Sequence, residues 1–464
     1  MNKSILLFFL LSFACVTASQ AQHILEIAHI NVTGNKKTKT KIVEREITFK
    51  VGDRLARQQL EEIIERSRQN IQNTGLFIKT EVDTLFEGNQ LTINFIVTET
   101  WYIYPFVIFE LADRNFNVWW KEQNRSLERV NFGVRGVHLN LTGNRDKLKL
   151  TVQDGYTKKY ELDYFIPGIN KAQTLGFFTN VFFSRQREIA HITQENKLGF
   201  YSFDEEFQLR RFRVGGGLSY RPGFYSTQTY KITYSDNSIS DDVAFVENPD
   251  YFFNNSTNQR HFTLEYNFTY DNRDIKPFPL SGRLFSASIQ KDGFGFFNDV
   301  NALKTVLTYQ HYFPFTEKIS LAVIGSTKIN ILRHKQPYTH VSSLGWGDDV
   351  LTGYELFVVD GLDHGYIKSA FRFQLLNREF NWGKLMFVKR LKQMPLKLYF
   401  VVNNDVGYVN SPFFDSYGDL NNQALWGGGV GLHLVVYFDK VIEIEYNINK
   451  FGDRGLFLNF DFSL

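Results

Sequence analysis

The sequence predicts an all-β transmembrane barrel preceded by a small α+β domain of order β-α-α-β-β. Three features of the 464 residues carry that expectation. The chain changes character once, near Trp101, from helical periodicity to short alternating strands. It is rich in aromatics, with 46 Phe and 23 Tyr, and a barrel uses such residues for its lipid-facing band and interfacial girdles. No segment after the N-terminus approaches the run of about 18 apolar residues that a helical span needs. Barrel strands alternate lipid-facing and lumen-facing residues and so look polar on average.

Residues 1–21 read as a secretory signal. Lys3 supplies the positive charge, Ile5 to Ala14 the apolar stretch, and Ser19-Gln20-Ala21 a small-x-small cleavage site, so the mature chain is expected to begin at Gln22. The only cysteine, Cys15, lies inside this leader, and Ser12-Phe13-Ala14 before it fit a lipobox poorly. The mature chain therefore has no thiol for a disulfide or a thiolate metal site. A net charge of +3 is too small to argue for nucleic acid.

Residues 22–100 are expected to form the small domain. Ile24 to Asn35 is an extended run ending in the turn Thr33-Gly34-Asn35. Thr38 to Ile47 is a short helix candidate, broken by Val51-Gly52-Asp53. Leu60, Ile63, Ile64, Ser67 and Ile71 recur at helical spacing and stop at Thr74-Gly75. Leu76 to Phe86 reads as a strand and Gly88-Asn89 as a turn. Leu91, Ile93, Phe95 and Val97 then alternate with Thr92, Asn94 and Thr98, giving a three-stranded sheet covered by two helices.

Residues 101–464 are expected to form the barrel, for which periodicity alone allows roughly 12 to 18 strands. Leu148, Leu150 and Val152 alternate with Lys147, Lys149 and Thr151. Val130, Phe132 and Val134 alternate, and the apolar phase then slips to Val137, Leu139 and Leu141, which predicts a bulge near Gly136. In the last strand Leu456, Leu458, Phe460, Phe462 and Leu464 share one face, and Asn459, Asp461 and Ser463 share the other. An open sheet edge cannot face hydrocarbon, so closure is required.

Two sets of motifs carry a family resemblance. Val32-x-Gly34-Asn35, Gly52-Asp53 and Asn73-Thr74-Gly75-Leu76-Phe77 resemble a POTRA domain. Asp271-Asn272-Arg273-Asp274 with Pro279-Leu280-Ser281-Gly282, then Asp405-Val406-Gly407, Gly427 to Leu432 and the closing alternation, resemble the barrel of the BamA/TamA superfamily. The resemblance implies about 16 strands, a cell outer-membrane location with the N-terminal domain in the periplasm, and a long loop folded back into the barrel.

That loop corresponds to Val350-Leu351-Thr352-Gly353-Tyr354, followed by Glu355. The family usually carries an arginine there, which reaches an acid on the barrel wall. Here Thr352 stands at the arginine position, and a threonine cannot replace a guanidinium fork. If Asp405 is the wall acid, it is expected to lack its partner, and the loop is held either through Tyr354 and Glu355 or weakly. The chain also ends in Leu464 rather than an aromatic residue, and it carries one POTRA-like module.

No catalytic motif emerges, and neither cofactor nor metal is expected. Asp271, Arg273 and Asp274 read as a turn-stabilising charge cluster at the barrel rim. The ten histidines form no metal-ligand spacing, and His334 and His340 read as surface residues. The expected function is assembly or insertion of β-barrel clients in the outer membrane, without covalent chemistry. Expected partners are unfolded clients at the sheet edge of the small domain, other assembly subunits or lipoproteins, and outer-membrane lipid. A non-catalytic accessory subunit and a dedicated protein-export channel are the alternatives.

Overall fold

The structure, a computed structural model, describes residues 24–297, 300–381, 383, 393–413, 418–436 and 440–461. The expected leader, and Phe462 and Leu464 of the terminal-strand pattern, lie outside these residues. The chain forms two units, one of residues up to Tyr102 together with Leu139–Asp146, the other of Ile103–His138 and Lys147–Leu464.

In the first unit, β1 (Ile24–Thr33), α1 (Thr40–Glu44), β2 (Arg54–Ala56), α2 (Arg57–Gln72), β3 (Phe77–Glu87) and β4 (Gln90–Glu99) follow in order. The sheet has four strands, ordered β2-β1-β4-β3, rather than three. The extra strand is Arg54–Ala56, whose pairing with Ile24–Glu26 uses main-chain groups and leaves no alternation to read. Leu91, Ile93 and Phe95 on the central β4 are fully buried and pack with Leu60 and Ile71 of α2. The helix forms there because its apolar residues recur every three to four positions and meet that sheet face. The Glu99 carboxylate ties down the approach to α1, accepting from the amides of Lys37 at 3.0 Å and Thr38 at 2.6 Å. Burial pushes this carboxyl up, but the hydrogen bonds from Thr38 and Lys37 outweigh burial and hold it below its usual range.

The second unit is a sheet of 16 strands in which each strand pairs with its neighbours in chain order, one hairpin set aside. The strands are β5 (Ile103–Leu111), β6 (Val130–Leu139), β7 (Lys147–Gly155), β8 (Thr157–Ile166), β9 (Leu175–Gln186), β12 (Leu209–Tyr220), β13 (Ser226–Ile239) and β14 (Asn258–Asp271). They continue with β15 (Gly282–Asp292), β16 (Ala302–Pro314), β17 (Ile319–Asn330), β18 (Asp363–Asn381), β19 (Gln393–Asn410), β20 (Ala424–Val435), β21 (Val441–Asn449) and β22 (Arg454–Asp461). The excluded hairpin is β10 (Glu188–Gln194) with β11 (Lys197–Ser202). The pattern is that of a transmembrane β-barrel. Val107, Phe109, Phe132, Val134 and Leu456 point outward and are well exposed, as a lipid-facing band requires.

Toward β5, no register shift marks the expected bulge near Gly136. The pairing of β5 with β6 runs without a register shift from Leu111 opposite Val130 to Ile103 opposite His138. Val137 is buried, while Phe132 and Val134 are exposed.

Candidate functional site: a loop locked on the barrel wall

Between β17 and β18 the chain makes a long excursion, residues 331–362, that packs inside the barrel unit. Leu344, Leu351, Tyr354 and Val359 bury themselves against Tyr366, Val409 and Leu425 of the wall. Four consecutive loop residues then bond to three adjacent strands. Thr352 donates to the Asp405 carboxylate twice, from its amide at 2.9 Å and its hydroxyl at 2.8 Å. The Gly353 carbonyl accepts from Asn449 Nδ2 at 3.2 Å. The Tyr354 hydroxyl donates to the carbonyl of Trp426 at 3.1 Å. Glu355 Oε1 accepts from Asn447 Nδ2 at 2.6 Å.

Register explains why these contacts coincide. Asp405, Gly427 and Asn449 lie directly opposite one another across β19, β20 and β21, forming one row on the wall. The middle position has no side chain, and a β-carbon there would lie 1.7 Å from the Thr352 carbonyl oxygen. Gly407 makes room in the same way further along the wall, where a β-carbon would meet Leu351 Cδ1 at 2.7 Å. Gly353 adopts φ +83°, a left-handed conformation open to glycine, as the loop turns over the row. Asp405 is thus buried but not unpaired, contrary to expectation. The glycine floor brings the loop backbone within hydrogen-bond reach of the carboxylate, so no long guanidinium is needed. The loop is held through Thr352 as well as through Tyr354 and Glu355.

Glu355 is the loop's own buried acid. Its second oxygen, Oε2, has no hydrogen-bond partner among the described residues. Burial pushes its carboxyl up to about 7, with the nearby Glu445 carboxylate adding to the rise against hydrogen bonds from Gly353 and Asn447.

The loop is also gripped from the connection between β5 and β6. The Arg114 guanidinium donates to the carbonyls of Gly345 at 2.5 Å, Leu356 at 3.1 Å and Phe357 at 3.1 Å. Asn115 Nδ2 donates to the Glu355 carbonyl at 2.7 Å. From the hairpin tip, the Asn196 carbonyl accepts from the Val358 amide at 2.8 Å. The hydroxyl of Thr193 on β10 donates to Asp360 at 2.5 Å. Sequence reasoning missed Arg114, Asn115 and Asn196, because each lies far along the chain from its partner and belongs to no local pattern.

Elsewhere, Arg273 binds Asp271 with two parallel bonds of 2.9 Å. Asp274 accepts from the Ile275 and Leu280 amides, and Gly282 sits at φ +94° against the Asn272 carbonyl. These residues therefore organise the turn between β14 and β15. The turn inserts Phe278, whose ring lies tilted at 45° with its centroid 4.9 Å from that of Tyr399 and sits under the Arg372 guanidinium at 4.3 Å. Phe460 on β22 is exposed on the outward face.

His340 departs from its expected surface setting. Its side chain is largely buried, its Nε2 lies 4.0 Å from Asp292, and burial pushes its imidazole below the ordinary range. It lines a cavity of about 650 Å³ together with Arg129, Arg211, Lys231, Asp292 and Lys328. Among the described residues, His433, Glu443 and Glu445 are the His/acid group tight enough for a metal. His433 Nε2 bonds Glu445 at 2.8 Å, and its Nδ1 lies 3.5 Å from Glu443.

A sixteen-stranded barrel with an inward loop, carried on a chain that begins with a POTRA-like α/β unit, defines an outer-membrane barrel of the protein-assembly and secretion class. Family comparison agrees. The Omp85 superfamily domain matches residues 140–434, and a POTRA model described as surface antigen variable number repeat matches residues 25–100. The chain belongs to the Omp85 superfamily. No curated protein sequence matches it. Among solved structures it is similar to BamA from Haemophilus ducreyi lacking POTRA domains 1–3, with TM-score 0.56 and 13% identity over 94% of this chain and 83% of that one. It is similar to CdiB from Escherichia coli at TM-score 0.56 and 10% identity, covering 94% and 75% of the two chains. CdiB from Acinetobacter baumannii gives TM-score 0.51 and 12% identity, covering 94% and 73%. At these identities the likeness is one of fold.

Proposed function

We propose that this protein inserts or assembles β-barrel clients in the outer membrane, acting through the edges of its first and last barrel strands, β5 and β22, and without covalent chemistry. The observation that carries the reading is the lock of four consecutive loop residues, Thr352 to Glu355, on β19, β20 and β21. That lock braces the wall beside the last strand from within. A braced wall keeps the strands in register while a neighbouring edge exchanges partners, and an extended client can pair with such an edge through main-chain groups alone. The N-terminal unit offers a second exposed edge on β3 for clients or partner lipoproteins, on the periplasmic side.

Depletion tests the reading. Other barrels should fall to a small fraction of their normal outer-membrane level, and normal levels overturn it. Export of a dedicated client is the second reading, favoured by the charged cavity lined by Arg211, Lys231 and Asp292. It predicts loss of one secreted protein on depletion while other barrels are unaffected. An accessory role predicts stable recovery with a second family member from mild detergent.

A further inference from the structure

The short helix α3 (Phe116–Lys121) lies in the connection that follows β5, the first strand of the barrel, yet it packs on β22, the last. Its contact is specific. Asn117, 4% exposed, uses both ends of its carboxamide on one residue of β22. Its Oδ1 accepts from the Leu458 amide at 2.9 Å, and its Nδ2 donates to the Leu458 carbonyl at 3.3 Å. A paired donor and acceptor on one residue is what a neighbouring strand supplies in an antiparallel ladder. The side chain therefore stands in for a strand at the edge of β22. Flanking packing fixes it there. The Phe116 ring meets Phe460 edge-on at 5.9 Å, and Lys121 Nζ lies 4.4 Å over the Phe457 ring.

The residues before the helix tie it to the locked loop. Asn115 caps α3 by accepting from the Val118 amide at 2.9 Å, while its Nδ2 holds the Glu355 carbonyl at 2.7 Å. Arg114 holds three more loop carbonyls. A continuous path thus runs from Asp405 through Thr352 and Glu355 to Asn115, then through one turn of helix to Asn117 and Leu458.

We propose that Asn117 is a latch on the edge of the closing strand, kept in place by the folded-back loop through Arg114 and Asn115. An extended segment that pairs with β22 across Leu458 has to displace this carboxamide first, so displacement of the loop primes the edge. The biological use of the latch rests on the insertion reading above. The latch itself is testable without any client.

The experiment is residue-resolved hydrogen exchange on the purified full-length protein in detergent. In Asn117→Ala the Leu458 amide should exchange roughly tenfold faster, the scale set by one lost buried hydrogen bond. Asn117→Asp keeps an acceptor for that amide but turns a second oxygen toward the Leu458 carbonyl and Asn459 Oδ1, so its exchange should fall between the unaltered protein and Asn117→Ala. Arg114→Ala, whose hydrogen bonds go to the loop and not to β22 among the described residues, should also speed Leu458. Slow exchange across β14 to β17 in every variant shows that the barrel is folded. Unchanged exchange at Leu458 in Asn117→Ala overturns the latch, and unchanged exchange in Arg114→Ala overturns its control by the loop. Neither result depends on whether depletion lowers other barrels.

Discussion

The carbonyl oxygen of Thr352 occupies the space where Gly427 would otherwise carry its β-carbon, at 1.7 Å from that position. A backbone oxygen cannot rotate away, so Gly427→Ala must push the loop off the wall. Thr352→Ala removes only the hydroxyl bond to Asp405 and keeps the amide bond, a loss of about 1 kcal/mol. The smaller change in side-chain volume, at 427, should therefore be the more damaging. Limited proteolysis within residues 331–362 of the detergent-solubilised protein measures this. Faster cleavage in Thr352→Ala than in Gly427→Ala contradicts the packing described.

Asp405 accepts two hydrogen bonds from Thr352 in a buried setting. Both bonds end on the one oxygen Oδ2, so Asp405→Ala, which offers no acceptor, leaves the Thr352 amide and hydroxyl without their partner. The expected loss of loop docking is about 1–3 kcal/mol. Restoring the family-like arginine as Thr352→Arg should not strengthen the lock, because the loop backbone already lies against the carboxylate and leaves no room for a guanidinium between them. Thermal unfolding of both variants should show lower midpoints, and a higher midpoint for Thr352→Arg contradicts this account.

Much of the architecture was legible in the sequence, and the reason is periodicity. The alternation of Leu456, Leu458 and Phe460 marks a strand with one lipid face, and the recurrence of Leu60, Ile63, Ile64 and Ile71 marks α2. The features that escaped have no period. The strand Arg54–Ala56 is too short to alternate. Thr352 could be seen to be too short for an arginine's reach. The distance it had to cover depends on Gly427 and Gly407, two positions on strands far along the chain. Arg114, Asn115 and Asn117 look like ordinary polar loop residues until the fold brings Glu355 and Leu458 to them.

Glu355 should make loop docking pH-dependent. Its carboxyl rises from an ordinary 4.5 to about 7 in the folded protein, chiefly through burial and then through Glu445. A group that binds its proton more tightly when docked favours docking at acid pH. That support is complete below about 4.5 and is lost as pH rises through about 7. Loop cleavage by an added protease active across that range should accelerate from pH 5 to pH 8. Glu355→Gln mimics the protonated form and should flatten the profile at the slow end. A flat profile in the unaltered protein contradicts the prediction.

Glu99 predicts the opposite sign in the N-terminal unit. The hydrogen bonds from Thr38 and Lys37 outweigh burial and leave its carboxyl below the ordinary 4.5. Its contribution is therefore present above that value and disappears as pH falls through the lowered one. Glu99→Gln keeps an acceptor but loses charge, costing about 1–2 kcal/mol locally. Hydrogen exchange at the amides of Lys37 and Thr38 in the full-length protein should quicken several-fold in this variant at neutral pH, and the difference should shrink in acid. Equal exchange at neutral pH would show that the carboxylate does not hold this turn.

Phe278 carries the last prediction. The turn organised by Asp271 and Arg273 places its ring in a buried cluster with Tyr399, Val401, Val435 and Val441, at the end of the barrel where β14 passes into β15. The ring also meets His433 edge-on at 6.3 Å. Phe278→Ala removes the portion of the turn that reaches the lumen and should cost about 3–5 kcal/mol as a large-to-small core change. It should also widen the passage at that end, because the ring packed against Arg372 and His433 is gone. Planar-bilayer recordings should show higher conductance than the unaltered protein, whereas Phe278→Leu, which keeps most of the volume, should stay close to it. Equal conductance in all three would place the narrowest point elsewhere, at the loop locked over Gly427.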